Sequence, residues 1–311
     1  MGRVAELIWP IVGLAAVVLS GLLLYKELRG HSPAEIAAGL RAISAGRWLL
    51  AILSTGLAYA ALAWYDQIAL LHLRRRLSWR FVAVVSFVAY ALAHNIGATV
   101  VSGAVVRYRA YSLKGLTAAE VGAVVAFTSL TFTLGALLTG GLTLLIEPRL
   151  LDRWLPASPW IGRGVVVALL IGPWLYVIGS LLHFRPARIG GFLLVYPRPP
   201  IAARQMIVAP IELIGAAGII YFALPPAANP GFVAVLGVFL ASFSAALISH
   251  APGGLGVLEF TFLKAMPDAP PTDVIAALLV FRLLYLIAPL IVSLFIVAAS
   301  EKRHISRVLE R

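Results

Sequence analysis

Long apolar runs separated by short charged punctuation dominate this chain, and their lengths predict a series of membrane-crossing helices. The first runs from Leu7 to Tyr25 without a charge. It is longer than the core of a secretory signal and no small-x-small cleavage site follows it, so it reads as a retained span. In Ser32–Arg47, Ile36, Leu40 and Ile43 recur at helical spacing with Glu35 and Arg41 between them, the pattern of a short amphipathic helix on the membrane surface. Further spans are predicted at Trp48–Leu71, Phe81–Val106, Thr117–Ile146, Trp160–His183, Arg204–Leu224, Gly231–Ser249 and Thr272–Ser300. Each approaches or exceeds the ~20 residues needed to cross a hydrocarbon core. The expected fold is all-α: a polytopic membrane protein of about eight transmembrane helices, one integral membrane domain over residues 1–311.

Two of these runs are not simple helices. One contains His94-Asn95-Ile96-Gly97-Ala98-Thr99-Val100-Val101-Ser102-Gly103, and the other ends in His250-Ala251-Pro252-Gly253-Gly254-Leu255-Gly256. Irregular backbone at membrane depth is tolerated only where protein buries it or a wet cavity receives it, because unsatisfied N–H and C=O groups cost several kcal/mol each. The glycine-rich segments therefore predict two re-entrant or broken elements; for the second, a tight turn outside the membrane is the competing reading. The surroundings also echo each other. Each break is followed by a charged residue (Arg107, Glu259), then by a loop that ends at a threonine with an acid beside it, Thr117 with Glu120 and Thr272 with Asp273. Residues 81–146 and 231–300 thus read as two copies of one unit, parallel for an even span count and inverted for an odd one.

Composition agrees with a bilayer as solvent. Hydrophobic residues make up 61% of the chain and charged ones 12%, with a mean hydropathy of +0.96, which excludes an ordinary soluble enzyme. The absence of cysteine excludes disulfides and thiolate chemistry. Lys and Arg number 25 against 13 Asp and Glu, and the cations fall mostly between apolar runs, where they set orientation rather than bind nucleic acid. Arg74-Arg75-Arg76 and the basic tail (Lys302, Arg303, Arg307, Arg311) place those segments and both termini on the cytoplasmic side. Arg185, Arg188 and Arg198 fall on the wrong side of that scheme. Either the span count is off by one around 184–204, or the segment is an interfacial hairpin.

The candidate chemistry lies in the polar residues of the apolar runs. Arg107 and Arg109 follow an uncharged run and alternate with Tyr108; the arginine fork suits phosphate, and a basic, aromatic rim is the structural alternative. Asp66, Glu212, Glu259 and Arg282 are charges in apolar sequence, which pair or line a pathway; Arg282 has either Glu212 or Glu259 as its partner. His94 and His250 suit proton relay or hydrogen bonding to freed carbonyls. Glu120 reads as the capping-box partner of Thr117. No Walker A lysine, His-Glu-x-x-His or Gly-x-Ser-x-Gly occurs, so ATP hydrolysis and the common hydrolase mechanisms are not expected; no cofactor or metal is expected either.

Ser102-Gly103-Ala104-Val105-Val106-Arg107-Tyr108-Arg109 with Gly115-Leu116-Thr117-Ala118-Ala119-Glu120, and Ile248-Ser249-His250-Ala251-Pro252-Gly253-Gly254-Leu255-Gly256-Val257-Leu258-Glu259, resemble the two hallmarks of the lysylphosphatidylglycerol synthase transmembrane family. That family includes the flippase half of the multiple peptide resistance factor. The resemblance covers essentially the whole chain and does not extend to the soluble aminoacyl-transferase half, so it does not imply lysyl transfer. It implies a bacterial inner-membrane protein that moves or handles lipids with polar headgroups; with the missing motifs above, the expected function is translocation of an aminoacylated or other phospholipid without ATP hydrolysis, and not as an enzyme. On that expectation Arg107, with Arg109, Tyr108, Ser102 and Gly103 around it, meets the lipid phosphate, and the amides of Gly253, Gly254 and Gly256 beyond Pro252 add donors. Glu259 or Glu212 meets a cationic headgroup, with His94, Asn95, His250 and Arg282 beside the path. Membrane phospholipids are the expected partners, with no nucleic acid. The alternatives are a membrane-embedded lipid-modifying enzyme using His94, His250 and Glu259, and a non-transporting partner of a lipid-synthesis enzyme for hopanoids or glycolipids.

Overall fold

The computed structural model of the protein describes residues 33–96, 99–152, 159–189, 192–249 and 257–309. These are helical apart from one short antiparallel strand pair. A first helix, α1 (Pro33–Ala42), leads into the long α2 (Ala45–His72). Next come α3 (Trp79–Ile96), α4 (Thr99–Ser112), α5 (Ala118–Ile146), a single turn α6 (Arg149–Asp152) and α7 (Pro159–Leu181). Strands β1 (Ala187–Ile189) and β2 (Phe192–Leu194) pair with Arg188 opposite Leu193. Helices α8 (Pro199–Ala223), α9 (Phe232–Ser249), α10 (Val257–Ala265) and α11 (Pro271–Phe281) follow. A π-helical turn, Arg282–Ile287, joins α11 to α12 (Ala288–Leu309).

Among the described residues, five helical stretches are long and apolar enough to cross a membrane: Ala45–His72, Ala118–Ile146, Trp160–Leu181, Pro199–Ala223 and Pro271–Ser300. They coincide with five of the eight runs read from the sequence. The run Leu7–Tyr25 lies outside the described residues. The run Phe81–Val106 is not one helix but two that double back on each other. A Cβ built on Gly103 of α4 would stand 3.6 Å from the Ala93 Cβ and 3.7 Å from the Ala89 carbonyl of α3, whereas ten residues of a single helix span ~15 Å. Helix α4, with 14 residues, and α10, with 9, are ~21 and ~13 Å long, both short of the ~30 Å of hydrocarbon. Helices α9 and α10 likewise pack against each other. Gly97 and Ala98, and the whole segment His250–Gly256, lie outside the described residues.

The core forms where α2 meets α8. Ser54 and Ala58 on α2 face Gly215 and Gly218 on α8, and a Cβ on Gly215 would lie 2.8 Å from the Ala58 nitrogen and 2.9 Å from the Ser54 carbonyl. Small residues a helical turn apart are what lets two backbones approach this closely where no hydrophobic effect drives helices together. Gly135 of α5 admits Ala209 of α8 in the same way. Burial then sorts the helices: 67% of the most apolar window of Pro271–Ser300 and 61% of that of α8 are buried, against 22% for α7. The first two are the centre of the molecule, and α7, with Trp160 and Trp174 exposed, is its rim. A buried relay ties the rim to the centre: the Tyr176 hydroxyl donates to Gln205 Oε1 (2.8 Å), and Gln205 Nε2 donates to Thr131 Oγ1 (2.6 Å).

The π turn loosens the regular backbone ladder, and side chains from two other helices meet its carbonyls. Tyr59 of α2 donates to the Tyr285 carbonyl (2.9 Å), and Asn95 Nδ2 of α3 donates to the Leu286 carbonyl (3.0 Å). Irregular helix geometry inside a bundle survives when neighbours re-satisfy the backbone in this manner.

Three expectations are refined. The amphipathic helix α1 does not only lie on a membrane surface: it packs on α11, with Gly39 against Ala276. Residues 184–198 add no span; they hold the β1–β2 hairpin, and α8 starts at Pro199, earlier than Arg204, because proline suits the first helical turn. Thr117 and Glu120 form the expected capping box, but Thr272 and Asp273 are not its counterpart. Helix α11 begins at Pro271 with Pro270 as N-cap and no side-chain cap bond.

Candidate functional site

Six elements converge on one cavity of about 260 Å³. Helical spacing supplies its walls: Leu62 and Tyr65 from α2, Tyr90, Ala93 and His94 from α3, and Val125, Thr128, Ser129, Phe132 and Thr133 from α5. Residues three and four apart share one helix face, so each helix presents a stripe rather than a point. Arg107 of α4, Glu212 of α8 and Phe243 of α9 complete the lining. The walls are aromatic and apolar with a few convergent polar groups, the usual character of a ligand site.

Arg107 is nearly fully buried, at 3% exposure, and its charge is matched within the protein. Its Nε and Nη2 donate to the two carboxylate oxygens of Asp66 at 2.8 and 2.7 Å, and the Tyr111 hydroxyl donates to Asp66 Oδ2 at 2.7 Å. The Tyr90 ring lies 4.6 Å from the guanidinium carbon, a cation–π contact. Gly103 leaves room for this arrangement, since a Cβ there would come within 2.9 Å of Arg107 Nη1. The expected phosphate-binding arginine therefore lines the cavity with one edge of its fork already held by Asp66.

Glu212 is the opposite case. It is 2% exposed, and Tyr285 of the π turn donates its hydroxyl to Oε1 at 2.7 Å. Oε2 is buried without a hydrogen-bond partner, and no ion pair among the described residues involves Glu212. The Tyr65 hydroxyl, close enough to interact with Glu212, and His94 Nδ1 are also buried without a completed hydrogen bond. The His94 ring stacks on Tyr285, with centroids 5.1 Å apart. Buried polar atoms are nearly always paired, so three such atoms around one cavity mark a place built for something that enters it.

Of the residues expected at the site, Arg107, His94 and Glu212 come together at this cavity. Asn95 sits one residue from His94 and braces the π turn. Gly103 packs α4 onto α3, with Ser102 half-buried beside it. Tyr108 and Arg109 are exposed on the outer side of α4. Glu259 and Arg282 form a separate buried ion pair (Nε–Oε1 2.7 Å), which decides between the two partners open for Arg282. His250, Pro252, Gly253, Gly254 and Gly256 lie outside the described residues. Sequence reasoning did not find Tyr65, Tyr90, Thr128 and Ser129 as lining residues, nor Tyr285 as the group that holds Glu212. The available signal was a run of hydroxyls inside an apolar span (Thr128, Ser129, Thr131, Thr133). Among the described residues no group of three or more His, Asp or Glu is placed to hold a metal ion.

Fold and cavity together define a multi-pass helical membrane protein with a partly polar interior. No family model matches the chain. The Escherichia coli inner membrane protein YbhN is 32% identical over 74% of this chain and 72% of its own length. The uncharacterised protein slr0712 of Synechocystis sp. is 30% identical over 90% of this chain and 87% of its own. The chain belongs to the family of these two proteins. It is also distantly similar, at 26% identity, to the phosphatidylglycerol lysyltransferase of Staphylococcus aureus, where 91% of this chain matches only 33% of that longer protein.

Proposed function

We propose that this protein translocates a polar-headgroup lipid across the bacterial inner membrane without ATP hydrolysis, its headgroup passing through the cavity between α2, α3, α5 and α8. The observation that carries this reading is the lining itself: a buried carboxylate with an unpartnered oxygen and a buried arginine share a cavity walled in part by α2, α5 and α8, each long and apolar enough to span a bilayer. A charged headgroup crosses ~30 Å of hydrocarbon slowly unless protein supplies a polar path. The family membership supports the inner membrane as the location, and the distant similarity to a phosphatidylglycerol lysyltransferase supports a lipid as the cargo. The eight-span arrangement, with both termini cytoplasmic, belongs to the same proposal.

The paired helices α3–α4 and α9–α10 then act as re-entrant elements, and residues 81–146 and 231–300 are two copies of one unit. Asp66 holds the Arg107 fork in place and offsets its charge, so a lipid phosphate engages the open Nη1 edge without being trapped. A transport site must bind well enough to load and weakly enough to release. Reconstitution of the purified protein into vesicles with headgroup-labelled phospholipids tests the proposal. Transbilayer movement faster than in protein-free vesicles, slowed about tenfold or more by Arg107→Gln in an Asp66→Asn background, is the expected result. Equal rates with and without protein across several headgroup classes would overturn it. Because the chain has no cysteine, single cysteines placed along α4 and labelled with an impermeant maleimide test the depth of the first hairpin separately.

A further inference from the structure

We infer that Glu212 is a proton-binding site that loads and unloads through the cavity, and that its proton is exchanged against the movement of the lipid. The coupling half of this inference rests on the translocation proposed above; the proton site itself does not.

The geometry points there in three steps. Glu212 is buried at the centre of α8 with the Tyr285 hydroxyl donating to Oε1 and the Tyr65 hydroxyl close by, while Oε2 lacks a completed hydrogen bond. An ionised carboxylate taken out of water without a cation costs several kcal/mol, and the two buried cations nearby are committed: Arg107 to Asp66 and Arg282 to Glu259. The cheapest positive charge that fits an interior oxygen is a proton, and a cavity of about 260 Å³ with Arg107, Glu212, Thr128 and Ser129 in its wall has room for the water that delivers it.

The neighbours fit both states. When Oε2 takes a proton from cavity water it becomes a donor, and the Tyr65 hydroxyl beside it, buried without a completed hydrogen bond, can accept. When the proton returns to water, Tyr65 becomes the donor to Oε2 while Tyr285 keeps Oε1. One O–H bond forms and one breaks in each direction, and the only co-reactant is water. The titratable groups that face the acid are Tyr59 and Tyr65 from α2, Tyr90 and His94 from α3, Tyr285 from the π turn, and Arg107 with Asp66 beyond them. Helices α5 and α9 turn hydroxyls and Phe243 toward the cavity, none of which titrates near neutrality.

Infrared difference spectra of the full-length protein in phosphatidylglycerol–phosphatidylethanolamine vesicles, recorded as the pH is stepped across the neutral range, test the site directly. The expected signal is the carbonyl stretch of a protonated carboxylic acid that rises and falls with pH and is lost in Glu212→Gln. Tyr285→Phe removes the donor to the acid's carbonyl oxygen and moves the band to higher frequency, which a merely structural role would not do. No pH-dependent acid band, or a band unchanged in Glu212→Gln, overturns the proton site. The coupling half is read from the leaflet distribution of headgroup-labelled phosphatidylethanolamine under an imposed pH gradient. One proton exchanged per lipid turns each unit of pH difference into about a tenfold asymmetry. Glu212→Gln loses the asymmetry, and Glu212→Asp, which keeps a titrating carboxylate at the position, retains it; each is compared with the same variant's rate at equal pH. An asymmetry that survives in Glu212→Gln overturns coupling, whereas no lipid movement in either protein overturns the translocation proposal and leaves the infrared band to decide the proton site.

Discussion

The hairpins α3–α4 and α9–α10 are built alike and wired differently. Each opens with an 18-residue helix, returns on a shorter arm, and plants one buried charge on that arm. In the first hairpin the arm carries the cation, Arg107, and its partner Asp66 lies earlier in the chain on α2. In the second the arm carries the anion, Glu259, and its partner Arg282 lies later, at the start of the π turn. Arg107 lines the cavity, and neither Glu259 nor Arg282 is among its described lining residues. On the proposed function, the first pair is a working part and the second a brace, separated by position relative to the cavity. The Glu259–Arg282 pair pins the short arm to the helix that bears Tyr285, so it fixes the group that in turn holds Glu212.

The largest effects come from breaking either pair by one partner. Asp66→Asn leaves Arg107 charged and buried, and Glu259→Gln does the same to Arg282; each is expected to cost about 3–5 kcal/mol, read as a loss of unfolding midpoint in detergent. The comparison sharpens when both partners are replaced, because removing a buried pair altogether is often neutral. Glu259→Gln with Arg282→Met should recover most of the stability and retain lipid movement, whereas Asp66→Asn with Arg107→Gln should recover stability and lose movement. If the Glu259–Arg282 double variant were also inactive, the second hairpin would be a working element like the first.

A smaller effect is expected where backbones meet. Gly215→Ala drives a methyl group into the Ala58 nitrogen and the Ser54 carbonyl, and neither is a side chain that can move aside, so overpacking of about 1–3 kcal/mol is expected. Gly103→Ala is crowded only by the end of Arg107, its contacts with Ala93 and Ala89 being ordinary, and that end can shift. It should cost less stability than Gly215→Ala and yet slow lipid movement more, because it displaces the arginine from the cavity wall. Unfolding midpoints and vesicle rates for the two variants, measured side by side, check that inversion.

These contrasts also explain what could be read from the residues alone. The long spans were legible because ~20 apolar residues have few other uses, and α2, α5, α7 and the last helix begin and end near the charges and prolines that bound their runs. The arms of the first hairpin were not, since the run Phe81–Val106 stays uncharged straight through its turn; only Gly97 and the polar residues around it marked a break. Asp66, Arg107, Glu212, Glu259 and Arg282 stood out as charges in apolar sequence. Their pairing was legible only in part: Glu259 was one of two partners open for Arg282, and Asp66 was not read as the partner of Arg107, because partners 41 and 23 residues apart are chosen by how helices pack. Tyr65, Tyr90 and Tyr285 were hidden for another reason: a tyrosine in an apolar run reads as packing until its hydroxyl is seen to face a carboxylate.

The smallest effect compares the starts of α5 and α11. Thr117 and Glu120 cap α5 reciprocally: the Glu120 amide donates to Thr117 Oγ1 at 3.3 Å and the Thr117 amide to Glu120 Oε2 at 2.8 Å. Glu120 also receives Arg75 at 2.7 Å, which fastens the triple-arginine loop to the start of α5. At the corresponding start of α11, proline sets the first turn and no side chain caps it. Thr117→Ala is therefore expected to cost about 1 kcal/mol, while Thr272→Ala should fall within a few tenths. Because the cap lies about three turns along α5 from Thr128 and Ser129, lipid movement should be unchanged in both variants. A slowed rate in Thr117→Ala at unchanged unfolding midpoint would mean that the loop, and not the cavity alone, governs passage of the headgroup.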